Sequence, residues 1–253
     1  MGVAGNTIPQ PLIFYQKGKN IVSFIRSFPK SHNFRYERKF TLRAESPALP
    51  RAVIARHPAF FREIFAPRTI NNIYFDTPQL DYFHDNKKGI ADRKKARIRW
   101  YGDTFGHIAR PQLEFKIKKG LVGDKWTFPL QPFHLKPGIS HTDLENLFRN
   151  SDLPAPVLEA LLYLRPTLLN TYRRTYFRSA NQHFRLTLDE DLTFFRTGSF
   201  HNTFSEKQTL PNHFVLELKY ETAFDDTADA IAGALPVRLD KSSKYVTGVE
   251  MFL

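Results

Sequence analysis

Residues 34–42 read FRYERKFTL, and the informative feature is Glu37-x-Lys39 inside a run of aromatic and β-branched residues. Two later stretches repeat it: Glu114-x-Lys116 in PQLEFKIKK (111–119) and Glu217-x-Lys219 in FVLELKY (214–220). In a strand, residues two apart share a face. Each Glu and its Lys therefore point one way, while Tyr36, Arg38, Phe115 and Leu218 point the other. An acid and a base are aimed three times at one surface.

The same two-residue period runs through other segments. Arg97 and Arg99, Tyr172 and Arg174, and Arg185, Thr187 and Asp189 fall on one side, with Lys118 continuing the set begun by Glu114. The alternate positions include Ile98, Trp100, Leu113, Ile117, Leu186, Leu188 and Leu216. One face is apolar and the other ionic. For any single strand, a sheet with one buried and one wet side gives this pattern. Repetition over at least six segments, with helices available to cover the apolar side, points instead to a sheet rolled into a barrel with the ionic face inside.

Composition agrees with a β-rich globule. The 253 residues include 24 Phe and 10 Tyr, side chains that pack well on a pleated surface. The 37 Lys and Arg against 25 Asp and Glu leave a formal charge of +12, which favours polyanionic partners. No cysteine is present, so disulfides, thiolate metal sites and a cysteine nucleophile are excluded. The nine His show no H-E-x-x-H spacing, and His57 and His183 read as surface or packing residues. Neither a Walker-type glycine-rich loop nor a G-x-S-x-G elbow occurs. The apolar patch NIVSFIRSF (20–28) is far shorter than the ~20 residues of a membrane span, and a cytoplasmic protein is expected.

Along the chain, residues 1–33 read as an N-terminal arm and 34–253 as one α+β domain. A helical face is expected over LPRAVIARHPAFFREIF (49–65), interrupted near Pro58, followed by a strand in TINNIYFDTP (69–78). Thr77 is placed to cap a short helix with Pro78 at its first position, and Asp76-Thr77-Pro78 reads as a structural corner. RKKARIRWYG, RPQLEFKIKK and DKWTFPLQ form an antiparallel meander. Helices follow over 140–164, then strands in PTLLNTYRRTYFRS, FRLTLDEDLTFF and NHFVLELKYE, and a largely helical or irregular end.

An eight-stranded barrel holds side chains or one slender ligand. Cations facing each other there repel by roughly 3 kcal/mol per pair at ~6 Å and an effective dielectric of ~20, so such a lining needs an anionic occupant. Arginine matches phosphate oxygens with its planar fork and lysine adds a point charge, which makes a linear chain of phosphates the natural filling. Carboxylates among the cations suit a hard divalent metal whose shell the phosphates complete. Neutralisation of neighbouring Lys and Arg is the other use of the same Glu residues, and both stay open here.

FRYERKF, NIYFDTPQLDYFHDN, KKARIRWYGD, LEFKIKKG, TYRRTYF, RLTLDEDL, VLELKY and KSSKYVTG, in this order, resemble the polyphosphate polymerase domain of the vacuolar transporter chaperone (VTC) family. That family belongs to the CYTH-like triphosphate tunnel metalloenzymes, with inorganic triphosphatases, thiamine triphosphatase and class IV adenylate cyclases as relatives. The resemblance runs from Phe34 to Gly248. It implies a closed antiparallel eight-stranded β-barrel with helices packed outside, ATP and polyphosphate as ligands, and Mn or Mg as cofactor. By motif position, Lys39, Arg97, Arg99, Lys116, Lys125, Tyr172, Arg174, Arg185, Lys219 and Ser243 would hold phosphates. Glu217 would be the principal metal ligand, with Glu37 and Glu114 as further carboxylates, and Glu217, Lys241 and Lys244 would be catalytic.

One departure narrows the activity. The wider superfamily opens with Glu-x-Glu-x-Lys, whereas this chain has Arg35-Tyr36-Glu37-Arg38-Lys39, so one metal-binding carboxylate is lost. That weakens the triphosphatase and cyclase readings, which lean on several acids for the metal, and agrees better with the polymerase branch; hydrolysis of tripolyphosphate or a nucleoside triphosphate, and non-catalytic capture of polyphosphate or nucleotide, are the alternatives. Nucleic acid is not expected as a partner, because Trp100, Phe115 and Tyr220 alternate away from the basic face. A membrane-protein partner and the oligomeric state are left open. Arg93, Lys94 and Lys95 read as a solvated basic patch.

Overall fold

The computed structural model describes residues 35–119, 122–198, 201–237, 239–240 and 242–253. The arm expected over 1–33 and Lys241 lie outside these residues. The described residues form eleven strands: β1 (Arg35–Arg43), β2 (Arg62–Asp76), β3 (Arg93–Tyr101), β4 (Gly106–Ile108), β5 (Gln112–Lys119), β6 (Val122–Pro129), β7 (Phe133–Leu135), β8 (Arg165–Arg178), β9 (Arg185–Arg196), β10 (Glu206–Leu210) and β11 (His213–Glu221). The helices are α1 (Ala48–Ala55), α2 (Asp81–Lys88), α3 (His141–Asn150), α4 (Ala155–Tyr163), α5 (Asp225–Gly233) and α6 (Lys244–Glu250).

One antiparallel sheet dominates, in the order β1-β11-β9-β8-β2-β3-β5-β6, with β10 added beside β9. The meander β3-β5-β6 forms as the sequence indicates, and β4 and β7 make a separate two-stranded ribbon that the periodicity does not reveal. The sheet curls so far that Lys116 Nζ on β5 lies 3.4 Å from Glu37 Oε2 on β1. Closure by backbone pairing, expected for a barrel, is not seen: no ladder joins β1 to β6 among the described residues. The free edge of β1 is instead covered by residues 239–240, through the Phe40–Leu239 bridge and a 2.8 Å bond from Asp240 N–H to the Lys39 carbonyl. A covered edge offers no unpaired groups to a further strand.

The alternation read from the sequence sorts the two faces. Ile98, Trp100, Leu113 and Phe115 are buried on the outer side with Leu144, Leu147 and Phe148 of α3 and Val157 and Leu161 of α4. Leu186, Leu188, Leu216 and Leu218 pack with Ile54 of α1 and Ala228 of α5. A third cluster fills one end of the inner face: Tyr74, Leu168, Phe194 and Val215 meet Tyr245 and Val249 of α6. Gly248 lets this helix come so close that a Cβ there would stand 2.5 Å from both Leu168 Cδ2 and Phe194 Cδ1.

Two local expectations are corrected. The helix after β1 ends at Ala55, and the stretch expected to continue it to Ile64 enters β2 at Arg62. Pro58 disfavours helical geometry at its predecessor, and the long pairing of β2 with β8 then captures the chain. Likewise α2 starts at Asp81, not at Pro78. Asp76, rather than Thr77 alone, caps it: Oδ1 accepts from Thr77 N–H at 2.7 Å and Tyr82 N–H at 2.9 Å, and Oδ2 from Phe83 N–H at 2.8 Å. The Tyr245 hydroxyl also donates to Oδ2, tying α6 to this corner. His57 is buried, with its ring against Phe61, as a packing residue. No helix of the described residues is long and apolar enough to cross a membrane.

Candidate functional site: a cation-lined inner face

The inner face carries three carboxylate centres, each surrounded by cations. In the first, cross-strand pairing sets Lys39 opposite Glu217 and Arg174 opposite Asp189. Arg174 forks onto Asp189 through Nε–Oδ1 at 2.5 Å and Nη2–Oδ2 at 2.6 Å, and reaches Glu217 Oε2 at 3.0 Å. Lys244 Nζ, from the start of α6, is 2.5 Å from Asp189 Oδ2 and 3.8 Å from Glu217 Oε1. Lys39 and Lys219 complete the surround of Glu217 at 3.6 and 3.3 Å. The Tyr172 ring forms the floor, with Lys244 Nζ 4.8 Å and Arg174 Cζ 5.4 Å from its centroid.

The second centre is Glu114. Arg97 donates to its Oε2 at 2.8 and 2.5 Å, Arg99 Nη1 lies at 3.6 Å, and Lys125 Nζ is 2.5 Å from Oε1. Arg99 is aimed by Asn72, whose amide donates in turn to Asn170. The third is Glu37, between Lys39 at 3.1 Å, Lys116 at 3.4 Å and Lys219 at 3.8 Å. Lys95 Nζ donates to Ser243 Oγ at 2.9 Å, so both Ser243 and Lys244 face the sheet. Arg185 sits further out, exposed, opposite Lys219 in the β9–β11 ladder.

Among the described residues, Lys39, Lys95, Arg97, Arg99, Lys116, Lys125, Arg174, Lys219 and Lys244 thus gather around only Glu37, Glu114, Asp189 and Glu217. Protonation responds to this surplus. Burial penalises the Glu217 anion, yet Arg174, Lys219, Lys39 and Lys244 outweigh it and hold the carboxyl well below its usual range. Burial likewise opposes ionisation of Asp189 and Glu114; Arg174 and Lys244 keep the first low, and Arg97, Arg99 and Lys125 bring the second to about 2. Lys95 moves the other way: burial first, then Lys39, Lys116 and Arg97, push its ammonium well below the ordinary lysine value. Lys116 and Lys125 are also lowered, chiefly by burial.

Sequence reasoning missed four members. Lys95 is not part of a solvated patch but belongs to the inner face, and the signal was available, because Lys95, Arg97 and Arg99 follow one another at period two. Asp189 was visible on the ionic face, but nothing local shows that Arg174 and Lys244 converge on it. Asn72 and Asn170 gave no signal.

For a divalent cation the donor set divides. Both oxygens of Glu114 are held by Arg97 and Lys125 at 2.8 Å or less. Glu37 and Glu217 are different: two ammoniums lie between them, Lys39 Nζ at 3.1 and 3.6 Å and Lys219 Nζ at 3.8 and 3.3 Å, so the space between them already accommodates cations. Two carboxylates with phosphate oxygens and water completing the shell fit Mg or Mn. No cluster of three or more His, Cys, Asp or Glu residues suited to a metal occurs among the described residues.

The described residues thus form an α+β protein whose curled antiparallel sheet has an apolar outer face and a cation-rich inner face. Residues 34–253 match the VTC domain, and the chain belongs to that family. Among solved structures, a candidate adenylate cyclase from Vibrio parahaemolyticus is similar at TM-score 0.46 and 12% identity, covering 85% of this chain and 98% of that one. A protein from Pyrococcus horikoshii is similar at TM-score 0.46 and 14% identity, over 86% and 97%. A Hippeastrum protein, described as having a dominant triphosphatase activity, is similar at TM-score 0.45 and 16% identity, over 85% and 96%. No curated protein matches the chain.

Proposed function

We propose that this protein is a metal-dependent polyphosphate polymerase that transfers the γ-phosphate of ATP to a growing polyphosphate chain. One observation supports this reading above the others: cations outnumber carboxylates on the inner face, with Lys39, Lys95, Arg97, Arg99, Lys116, Lys125, Arg174, Lys219 and Lys244 around Glu37, Glu114, Asp189 and Glu217. Phosphoryl transfer asks for in-line positioning and charge neutralisation more than for covalent chemistry. Arg174, Arg97 and Arg99 offer planar forks to phosphate oxygens, and Lys39, Lys95, Lys116, Lys219 and Lys244 supply point charges around them.

In the proposed step an oxygen of the polymer's terminal phosphate forms a bond to the γ-phosphorus, the bond from that phosphorus to the β,γ-bridging oxygen breaks, and ADP leaves with the electron pair. Lys244 and Arg174 neutralise the charge that collects on the leaving side. Glu217 and Glu37 would hold Mn or Mg, which supplies additional neutralisation of the phosphate oxygens. Lys241 enters only through its place in DKSSKY.

The deciding experiment incubates purified protein with ATP and Mn and follows the products by phosphorus NMR. Resonances of internal phosphates are expected. Orthophosphate alone would replace the reading by a triphosphatase, and binding without turnover by a capture module. Glu217→Gln should suppress turnover, and full activity in that variant would remove Glu217 from the mechanism.

A further inference from the structure

The chemistry of the inner face changes at the end away from α6. Continuing β3 by two residues past Arg99 reaches Tyr101, and continuing β8 past Arg174 reaches Tyr176. Arg68 lies opposite Arg174 in the β2–β8 ladder, and Phe65 lies opposite Tyr176. Here the cation is met by rings rather than by carboxylates: Arg68 Cζ is 5.3 Å from the Phe65 centroid and 5.9 Å from those of Tyr101 and Tyr176. No carboxylate among the described residues pairs with it. Phe65 meets Tyr176 edge-on at 6.0 Å. Phe65 and Tyr101 remain 53% and 52% exposed.

We infer that Phe65, Arg68, Tyr101 and Tyr176 form a nucleobase platform at the mouth of the phosphate-binding face, an inference that rests on the ligand being a nucleoside triphosphate. Aromatic faces and an arginine plane are what an unpaired base stacks on. The spacing suits one nucleotide: a step of two residues along a strand is about 7 Å, so the rings stand a sugar's length beyond Arg99 and Arg174. A ligand of phosphates alone gains nothing from exposed rings. A nucleoside triphosphate would engage both regions, with its phosphates among the cations and its base on the rim.

The test compares two probes of similar charge, the non-hydrolysable β,γ-imido analogue of ATP and inorganic tripolyphosphate, by calorimetric titration. Wild type should bind the nucleotide more tightly. Tyr101→Ala and, separately, Phe65→Ala should weaken the nucleotide roughly 10- to 100-fold, while tripolyphosphate changes less than about twofold, because each substitution removes a stacking ring and leaves the charge of Arg68 in place. Tyr101→Phe should retain nucleotide affinity, and thermal midpoints establish that each variant is folded. Unchanged nucleotide binding in both alanine variants, or equal losses for both probes, overturns the platform and leaves the phosphate-binding reading intact. Failure of wild type to bind either probe overturns both. An oligonucleotide lacking a triphosphate that binds as tightly as the nucleotide, and is lost in Tyr101→Ala, would assign the rim to single-stranded nucleic acid instead.

Discussion

Asp189→Asn separates the two roles of the central carboxylates. Asp189 is fully buried and takes three short contacts, two from Arg174 and one from Lys244. The amide keeps the shape and removes the charge. Glu217 then remains as the partner of both cations, at 3.0 Å from Arg174 and 3.8 Å from Lys244. Removing one member of a buried ion pair typically costs about 3–5 kcal/mol, because the other charge stays buried and uncompensated. For a chain of this size that is a fall of about 6–20 °C in thermal midpoint. The polyanion should reverse the order. A phosphate placed ~6 Å from the Asp189 position gains about 3 kcal/mol per unit charge when that carboxylate is neutralised, at an effective dielectric of ~20. At a hundredfold excess over Kd a ligand already stabilises by about 2.7 kcal/mol, and tighter binding adds to this directly. Differential scanning fluorimetry with and without tripolyphosphate is the assay. The ligand-induced rise in midpoint should be larger in Asp189→Asn than in wild type. An equal or smaller rise would refute the idea that Arg174 and Lys244 face the ligand.

Gly248→Ala places a methyl group 2.5 Å from Leu168 and Phe194, and overpacking of this kind costs about 1–3 kcal/mol, to be read from the urea midpoint; an unchanged midpoint would show that α6 shifts freely. Glu114 is held at about 2 against an ordinary 4.5, so its contribution is fully present above pH 4.5 and is lost as pH falls from there through 2. Glu114→Gln should therefore show a flatter dependence of unfolding free energy on pH across that window, and a slope equal to wild type would dissociate Glu114 from acid stability. Lys95, Lys116 and Lys125 have pKa values lowered chiefly by burial in the free protein, so an anion that raises them must draw protons from solvent at a pH below the ordinary lysine value. Titrations of tripolyphosphate in buffers of different ionisation enthalpy should report proton uptake, and proton release would contradict the charge surplus.

How much of this was legible depends on whether the signal is local. Period two at Glu37-x-Lys39, Arg97-x-Arg99 and Glu217-x-Lys219 records which face each side chain occupies, and the apolar partners Ile98, Trp100 and Leu216 are buried as that period requires. Strand order and stagger are not local properties. They decide that Lys116 of β5 meets Glu37 of β1, and that Arg174 and Lys244, 70 positions apart in numbering, converge on Asp189. The entry into β2 was hidden for a related reason. AFFREIF carries apolar residues compatible with a helix, and only the partnership with β8 selects the extended form. The covering of the β1 edge by residues 239–240 likewise depends on where a distant segment returns.

The carboxylates on the inner face are best understood through the state without ligand. Buried ion pairs add little net stability, because desolvation offsets their attraction. Without Glu37, Glu114, Asp189 and Glu217, however, the neighbouring cations would repel one another by roughly 3 kcal/mol per pair at ~6 Å, and the lysines would shed protons before the arginines could move apart. Lys95, which has a hydroxyl rather than a carboxylate as its hydrogen-bond partner, is pushed below the ordinary lysine value by burial and then by its cationic neighbours Lys39, Lys116 and Arg97. The four acids keep the lining charged and in place, yet leave it with an excess of cations. On the proposed function, an incoming chain of phosphates would meet donors that are already oriented, and would exchange ion pairs rather than assemble a site from disordered side chains.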